Sequence, residues 1–163
     1  MTNGTNDKDL LRQLHDGIRL VGEGKVEEAE TILRSVLKLQ PENADALWLL
    51  GRTLEQQGKL RESLDVYSRA AQLEPDRAVF HESLGTMFIL TGNVLDGKEA
   101  LRKALALDPE ALKPSEYTFG KLIEKSPENK IYWHGLEIVL DLQGKMEMSQ
   151  KVRLKAGQND STR

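Results

Sequence analysis

Ala44–Arg77 reads ADALWLLGRTLEQQGKLRESLDVYSRAAQLEPDR, and its punctuation decides the fold. Gly51 lies inside an apolar-periodic run, Gly58 follows that run, and Pro75 closes a second one. Stepping 34 residues either way finds the same marks: Gly17, Gly51 and Gly85; Gly24, Gly58 and Gly92; Pro41, Pro75 and Pro109. At average Gly and Pro usage the coincidence has a chance of about 10⁻⁷. Other columns agree. Leu20, Leu54 and Phe88 line up, as do Leu33, Tyr67 and Leu101, and the small residues Ala29, Ser63 and Gly97.

Each column has a physical reading. Gly within a helix costs about 1 kcal/mol relative to Ala, so Gly17, Gly51 and Gly85 need a packing reason. The small column Ala29, Ser63 and Gly97 on the returning helix suggests close approach of two backbones. Gly24, Gly58 and Gly92 supply the left-handed residue that ends a helix, and Lys25, Lys59 and Asn93 begin the return. Pro41, Pro75 and Pro109 cannot continue a helix. Each unit is therefore a helix–turn–helix hairpin. The pattern predicts helices over 9–22, 25–39, 43–56, 59–73, 77–90 and 94–107, and no period-two alternation of strand length occurs.

Ala44–Arg77 resembles the tetratricopeptide repeat, carrying Leu47, Leu50, Gly51, Leu54, Gly58, Ser63, Tyr67, Ala70 and Pro75 in that family's order. Residues 78–111 match with His81 in place of a large apolar residue, which reads as a packed, hydrogen-bonded histidine. Residues 10–43 match with Gln13 and Asp16 in normally apolar columns, as suits a first helix with nothing before it to pack on. After Pro109 the register changes. Pro127-Glu-Asn129 echoes Pro41-Glu-Asn43, and Trp133, Leu136, Leu140 and Gly144 open a fourth, degenerate repeat over 130–156. Between them fits a single helix over 115–125, with Ser115 as its N-cap and Phe119, Leu122 and Ile123 as its apolar stripe. The resemblance implies an all-α, right-handed α-α superhelix, a solenoid of about four hairpins with one extra helix between the third and fourth. Residues 1–8 and 157–163 read as disordered tails around a 9–156 domain.

Composition narrows function. There are 23 Lys and Arg against 26 Asp and Glu, for a net charge of −3. No basic excess exists to neutralise phosphates, so nucleic acid is not the expected partner. There is no cysteine, which removes disulfides and thiolate metal sites and fits a cytoplasmic location. No segment reads as a signal or a membrane span. His15, His81 and His134 are scattered, with no metal-pair spacing, and no phosphate loop or nucleophile constellation occurs. The expectation is a non-enzyme with no catalytic residue, no metal and no cofactor.

The resemblance places the first helix of each unit along a concave groove that holds a peptide or protein. Carried over by register, the groove-facing residues are Leu11, Leu14, Ile18 and Val21; Asp45, Trp48, Arg52, Glu55 and Gln56; Val79, Glu82, Thr86 and Ile89; and Ile131, His134, Ile138 and Asp141. One variant of the family binds acidic chaperone tails with Lys, Asn and Arg. Its positions here hold Leu14, Ile18, Leu49, Val79 and Ser83, so that role is not expected. Trp48 has two readings, an exposed anchor or a side chain packed on Leu14 and Ile18. The leading expectation is an adaptor or scaffold for a protein partner. The alternatives are a module associated with a glycosyltransferase, sulfotransferase or hydroxylase on another or longer chain, and a self-assembling repeat protein using its apolar groove or terminal helices.

Overall fold

A computed structural model describes residues 3–158, with side chains from residue 8 to 157. Among them are nine helices and no strand. They pack as two units, the first ending at Pro75 and the second beginning at Asp76.

The first unit holds α1 (Asn3–Gly22), α2 (Val26–Leu39), α3 (Ala44–Gln56) and α4 (Leu60–Leu73). The turn at Gly58 shows why the glycine column exists. Lys59 N–H donates to Leu54 O at 2.9 Å, Gly58 N–H donates to Glu55 O at 2.9 Å, and Gly58 has φ +74°. That double bond is the Schellman stop, which needs the left-handed residue. Between hairpins, Asn43 accepts from Ala46 N–H at 2.9 Å and so caps α3.

The close approach expected at the mid-helix glycines is found at Gly85, where a Cβ would lie 2.9 Å from Gly97 O, and the glycines also do a second job. A Cβ at Gly51 would lie 2.5 Å from the Tyr67 ring, and one at Gly17 would lie 2.9 Å from Leu33. The glycine makes room for the large residue of the returning helix. The small column meets the backbone of the first helix, with the Ser63 hydroxyl donating to Gly51 O at 2.8 Å. Around these contacts Leu20, Val21, Ala29, Leu33, Leu49, Leu50 and Leu54 form the core of the first unit. Glu30 on α2 accepts from Gln57 at 2.9 Å and Lys59 at 3.1 Å, fastening the first hairpin to the turn of the second. The Gln57 bond, then the Arg34 bond, hold its carboxyl down at about 2.

The second unit holds α5 (Ala78–Leu90), α6 (Val94–Leu107), α7 (Lys113–Lys125), α8 (Lys130–Leu142) and α9 (Met146–Gln158). Its core joins Ile89, Leu101, Ala104, Leu112, Phe119, Ile138 and Val139. His81 is buried on α5. The extra helix α7 lies against α8, where Phe119 enters a space that only Gly135 leaves, since a Cβ there would meet the ring at 2.2 Å. Leu122 and Ile123 are only half-buried.

Two expectations are corrected. Ser115 is not the cap of α7. The helix begins two residues earlier, Leu112 holds the N-cap position, and Pro114 occupies the first turn, where its missing N–H costs nothing. Ser115 is thereby turned inward, fully buried. The tails are also shorter than expected, because α1 starts at Asn3 and α9 runs to Gln158. Once a helix is nucleated each added residue gains a hydrogen bond, and no proline interrupts either stretch. The rest of both expected tails lies outside the described residues.

Candidate functional site

Register relates the first helices of the hairpins, so one set of positions can be followed from α1 to α3 and α5. Leu14, Trp48 and Glu82 share one position; Ile18, Arg52 and Thr86 share the next; Val21, Glu55 and Ile89 share the third. The structure treats these positions differently in the two units.

In the first unit much of the face is open. Leu11 is 60 % exposed and Ile18 is 50 % exposed, while Leu14 is half-buried between them. The three recur at i, i+3 and i+7, one stripe of α1. A depression of about 340 Å³ opens beside them, lined by Leu10, Leu11, Leu14, Gln40 and Asn43. On α3, Trp48 is half-buried and, like Leu14 on α1, packs against the core that contains Leu20 and Leu50. Arg52 is exposed and sets its guanidinium 5.2 Å from the Trp48 ring centroid, within reach of a cation–π attraction. Among the described residues Arg52 makes no ion pair.

Glu55 lies one turn on, half-buried, and accepts from the Tyr67 hydroxyl at 3.1 Å. Burial pushes its carboxyl up, against the opposing effects of that bond and of the Arg52 charge. Gln56 is exposed at the end of α3. Asp45, half-buried, lines a separate polar depression with Gln40, Glu42 and Glu74.

Five expected groove residues are buried, and the expectation is corrected for them. Val21 is 3 % exposed because the last turn of α1 drives it into the first core. Ile89 and Ile138 belong to the second core. Glu82 and Thr86 are covered by α7. The Ser115 hydroxyl donates to Glu82 Oε1 at 2.5 Å and sits 2.7 Å from Thr86 Oγ1, which donates to it because a hydroxyl has only one proton to give. Ser83 donates to the other Glu82 oxygen at 3.2 Å. Val79 is half-buried, while Ile131, His134 and Asp141 are exposed.

The fourth hairpin carries a feature that reading for apolar columns missed. Glu137 stands where the earlier hairpins have Gly51 and Gly85, and Arg153 stands where they have Tyr67 and Leu101. The two pair, with Arg153 Nε donating to Glu137 Oε1 at 2.8 Å, Asp141 at 3.9 Å from the guanidinium, and His134 Nδ1 at 3.6 Å from Glu137 Oε2. Small facing large has become acid facing base. The simultaneous departure of both columns was the signal available in the sequence.

Among the described residues no group of three or more His, Cys, Asp or Glu is placed to hold a metal, and no helix is long and apolar enough to cross a membrane.

Comparison with known proteins agrees with this architecture. A tetratricopeptide repeat family profile matches residues 17–78. The BBSome complex member BBS4 of Xenopus tropicalis is 32 % identical over 101 residues, covering 61 % of this chain and 19 % of that protein. The chain thus spans about a fifth of that relative. Among solved structures, the Thermobaculum terrenum O-GlcNAc transferase mutant K341M superposes with a TM-score of 0.69 at 25 % identity, over 89 % of this chain and 27 % of that one. MamA from Desulfovibrio magneticus RS-1, residues 41 to the end, gives 0.60 at 21 % identity, over 94 % and 77 %. That last likeness is one of fold.

Proposed function

We propose, from the premise that this chain is a tetratricopeptide repeat protein, that it is a non-catalytic adaptor whose first unit captures a segment of a partner protein. The observation that carries this is the open face of α1 and α3. Leu11 and Ile18 expose apolar surface beside the depression at Leu14, next to the Trp48–Arg52 pair. Apolar surface rimmed by charge marks an interaction site, and Trp and Arg are the residues that dominate binding energy at such sites. The likeness to a member of the BBSome complex supports an adaptor reading.

The test is affinity capture from the source cell, followed by direct titration of whatever protein is recovered. Ile18→Ser with Arg52→Ala changes only exposed side chains, so helicity should persist while affinity falls. Unchanged affinity would remove this face from the account. Trp48→Ala is a poorer probe, because its indole is part of the packing of the first unit.

A second reading has its own support. The chain resembles about a quarter of an O-GlcNAc transferase chain, so the same face could serve an enzyme's substrate in a larger assembly. Capture of a transferase substrate or subunit would favour that version; capture of other complex members would favour the adaptor.

A further inference from the structure

α9 is attached to its hairpin differently from the other returning helices. α2, α4 and α6 each drive a large side chain, Leu33, Tyr67 or Leu101, fully into the hairpin. On α9, which packs on α8, that position holds the exposed Arg153. Among the described side chains of α9 only Ser149 is buried; Val152 and Ala156 are half-buried, and Met146, Met148 and Leu154 are exposed. Docking α9 therefore removes little apolar surface from water, and hydrophobic stabilisation scales with that surface.

Polar contacts stand where the packing is missing, and they hold weakly. Arg153 Nε donates to Glu137 Oε1 of α8 at 2.8 Å, and Asp141 lies 3.9 Å from the guanidinium. Arg153 and Asp141 are both exposed, so water and salt reach these pairs, and such pairs contribute little. A second feature opposes docking outright. The Ser63 hydroxyl of α4 donates to Gly51 O, but the oxygen of its equivalent, Ser149, is buried with no hydrogen-bond partner among the described residues. Leaving a hydroxyl buried and unbonded costs free energy that is recovered when α9 opens and water reaches it.

The neighbouring elements are anchored more firmly. Ile138 and Val139 fix α8 in the second core, and Lys145, in the turn before α9, donates to Glu116 of α7 at 2.6 Å. The loosely held segment therefore begins after Lys145. A helix of 13 residues is marginal by itself in water, so α9 unwinds when it leaves α8.

We propose that α9 is a salt-sensitive latch. It releases from α8 as a unit while α5 to α8 stay folded, and its release frees the Glu137 carboxylate from Arg153.

The test uses the full chain, which has no cysteine. Ser149→Cys places a single thiol beneath α9, and Ala104→Cys places one on α6 in the second core. Each is timed against a maleimide at fixed pH in about 20 mM and about 500 mM NaCl, with circular dichroism confirming the fold. The Ser149→Cys thiol should label about a hundredfold faster than the Ala104→Cys thiol, and about threefold faster again at the higher salt. Arg153→Ala should raise the Ser149→Cys rate and erase its salt response. Glu137→Gly with Arg153→Tyr rebuilds the Gly51–Tyr67 contact and should slow that rate about tenfold. Equal rates at the two thiols would overturn the proposal, as would a Ser149→Cys rate indifferent to salt and to both Arg153 substitutions. Hydrogen exchange of the unaltered chain guards against a thiol that itself loosens the helix. Its α9 amides should exchange faster than those of α6, with the same response to salt, and equal protection of the two helices would also overturn the latch.

Discussion

Arg52 on α3 and Thr86 on α5 occupy one position of the repeat, a single 34-residue step apart, yet Arg52 stands in solvent and Thr86 is only 5 % exposed. The helices that carry them have the same length, 13 residues each, and the same glycine stop. In the second unit α7 lays Ser115 across Glu82 and Thr86. In the first unit Leu11 and Ile18 on α1 and Arg52 on α3 are exposed. The second spends Leu112 and Phe119 on covering the corresponding face. Whether a repeat presents a surface is thus set by its neighbours as much as by its own columns.

The comparison can be broken most directly at Phe119. Phe119→Ala removes the ring that fills the space over Gly135 and should cost about 3–5 kcal/mol. Hydrogen exchange should show the loss concentrated in α7, α8 and α9, because repeats are coupled to near neighbours. Equal loss in α1–α4 would mean that the two units do not differ as described. Gly51→Ala comes next. Its Cβ would overlap the Tyr67 ring, so a cost of about 1–3 kcal/mol is expected in urea unfolding. Glu137→Ala, in the same column of the fourth hairpin, has a pairing and no packed ring to disturb, so it should cost under about 1 kcal/mol and less still in high salt.

The hairpins, the turn glycines and the fourth repeat were legible because each depends on local chemistry that recurs: a left-handed residue at Gly58, a proline stop at Pro75, an Asn43 cap echoed by Asn129, which accepts from Ile131 N–H at 3.0 Å. The site was half legible. Register put Ile18 and Arg52 at positions that are exposed, but it could not say that Glu82 and Thr86 lie under α7, because Ser115 is 33 residues beyond Glu82 and its contact is tertiary. Ser115 itself looked like a cap, because serine is strongly preferred at that position. Val21, Ile89 and Ile138 fell at groove positions by count, and the packing of each unit drew them inward.

Ser115→Ala sharpens the same contrast with a smaller change. It deprives the buried Glu82 carboxylate of a donor and should cost about 1–2 kcal/mol, with no effect on ligand binding at the first unit. The smallest expected effect is at Glu55. Its carboxyl is raised by burial, so the folded state holds the proton more tightly than the unfolded chain does. Stability from this group is present below the ordinary carboxylate range and is lost as pH rises through the raised value. Glu55→Gln keeps an acceptor for Tyr67 and should lift the thermal midpoint slightly at neutral pH while flattening that slope. A midpoint that drops at pH 7 would contradict the burial account.

Because the chain has no cysteine, a single introduced thiol reports directly on each face. Arg52→Cys and Thr86→Cys differ only in which unit carries the probe, and each is timed against a maleimide under native conditions and again in denaturant. Native labelling at position 52 should approach its denatured rate, while position 86 should be slowed by orders of magnitude. Comparable native rates at the two positions would contradict the claim that one face is open and its repeat equivalent is closed.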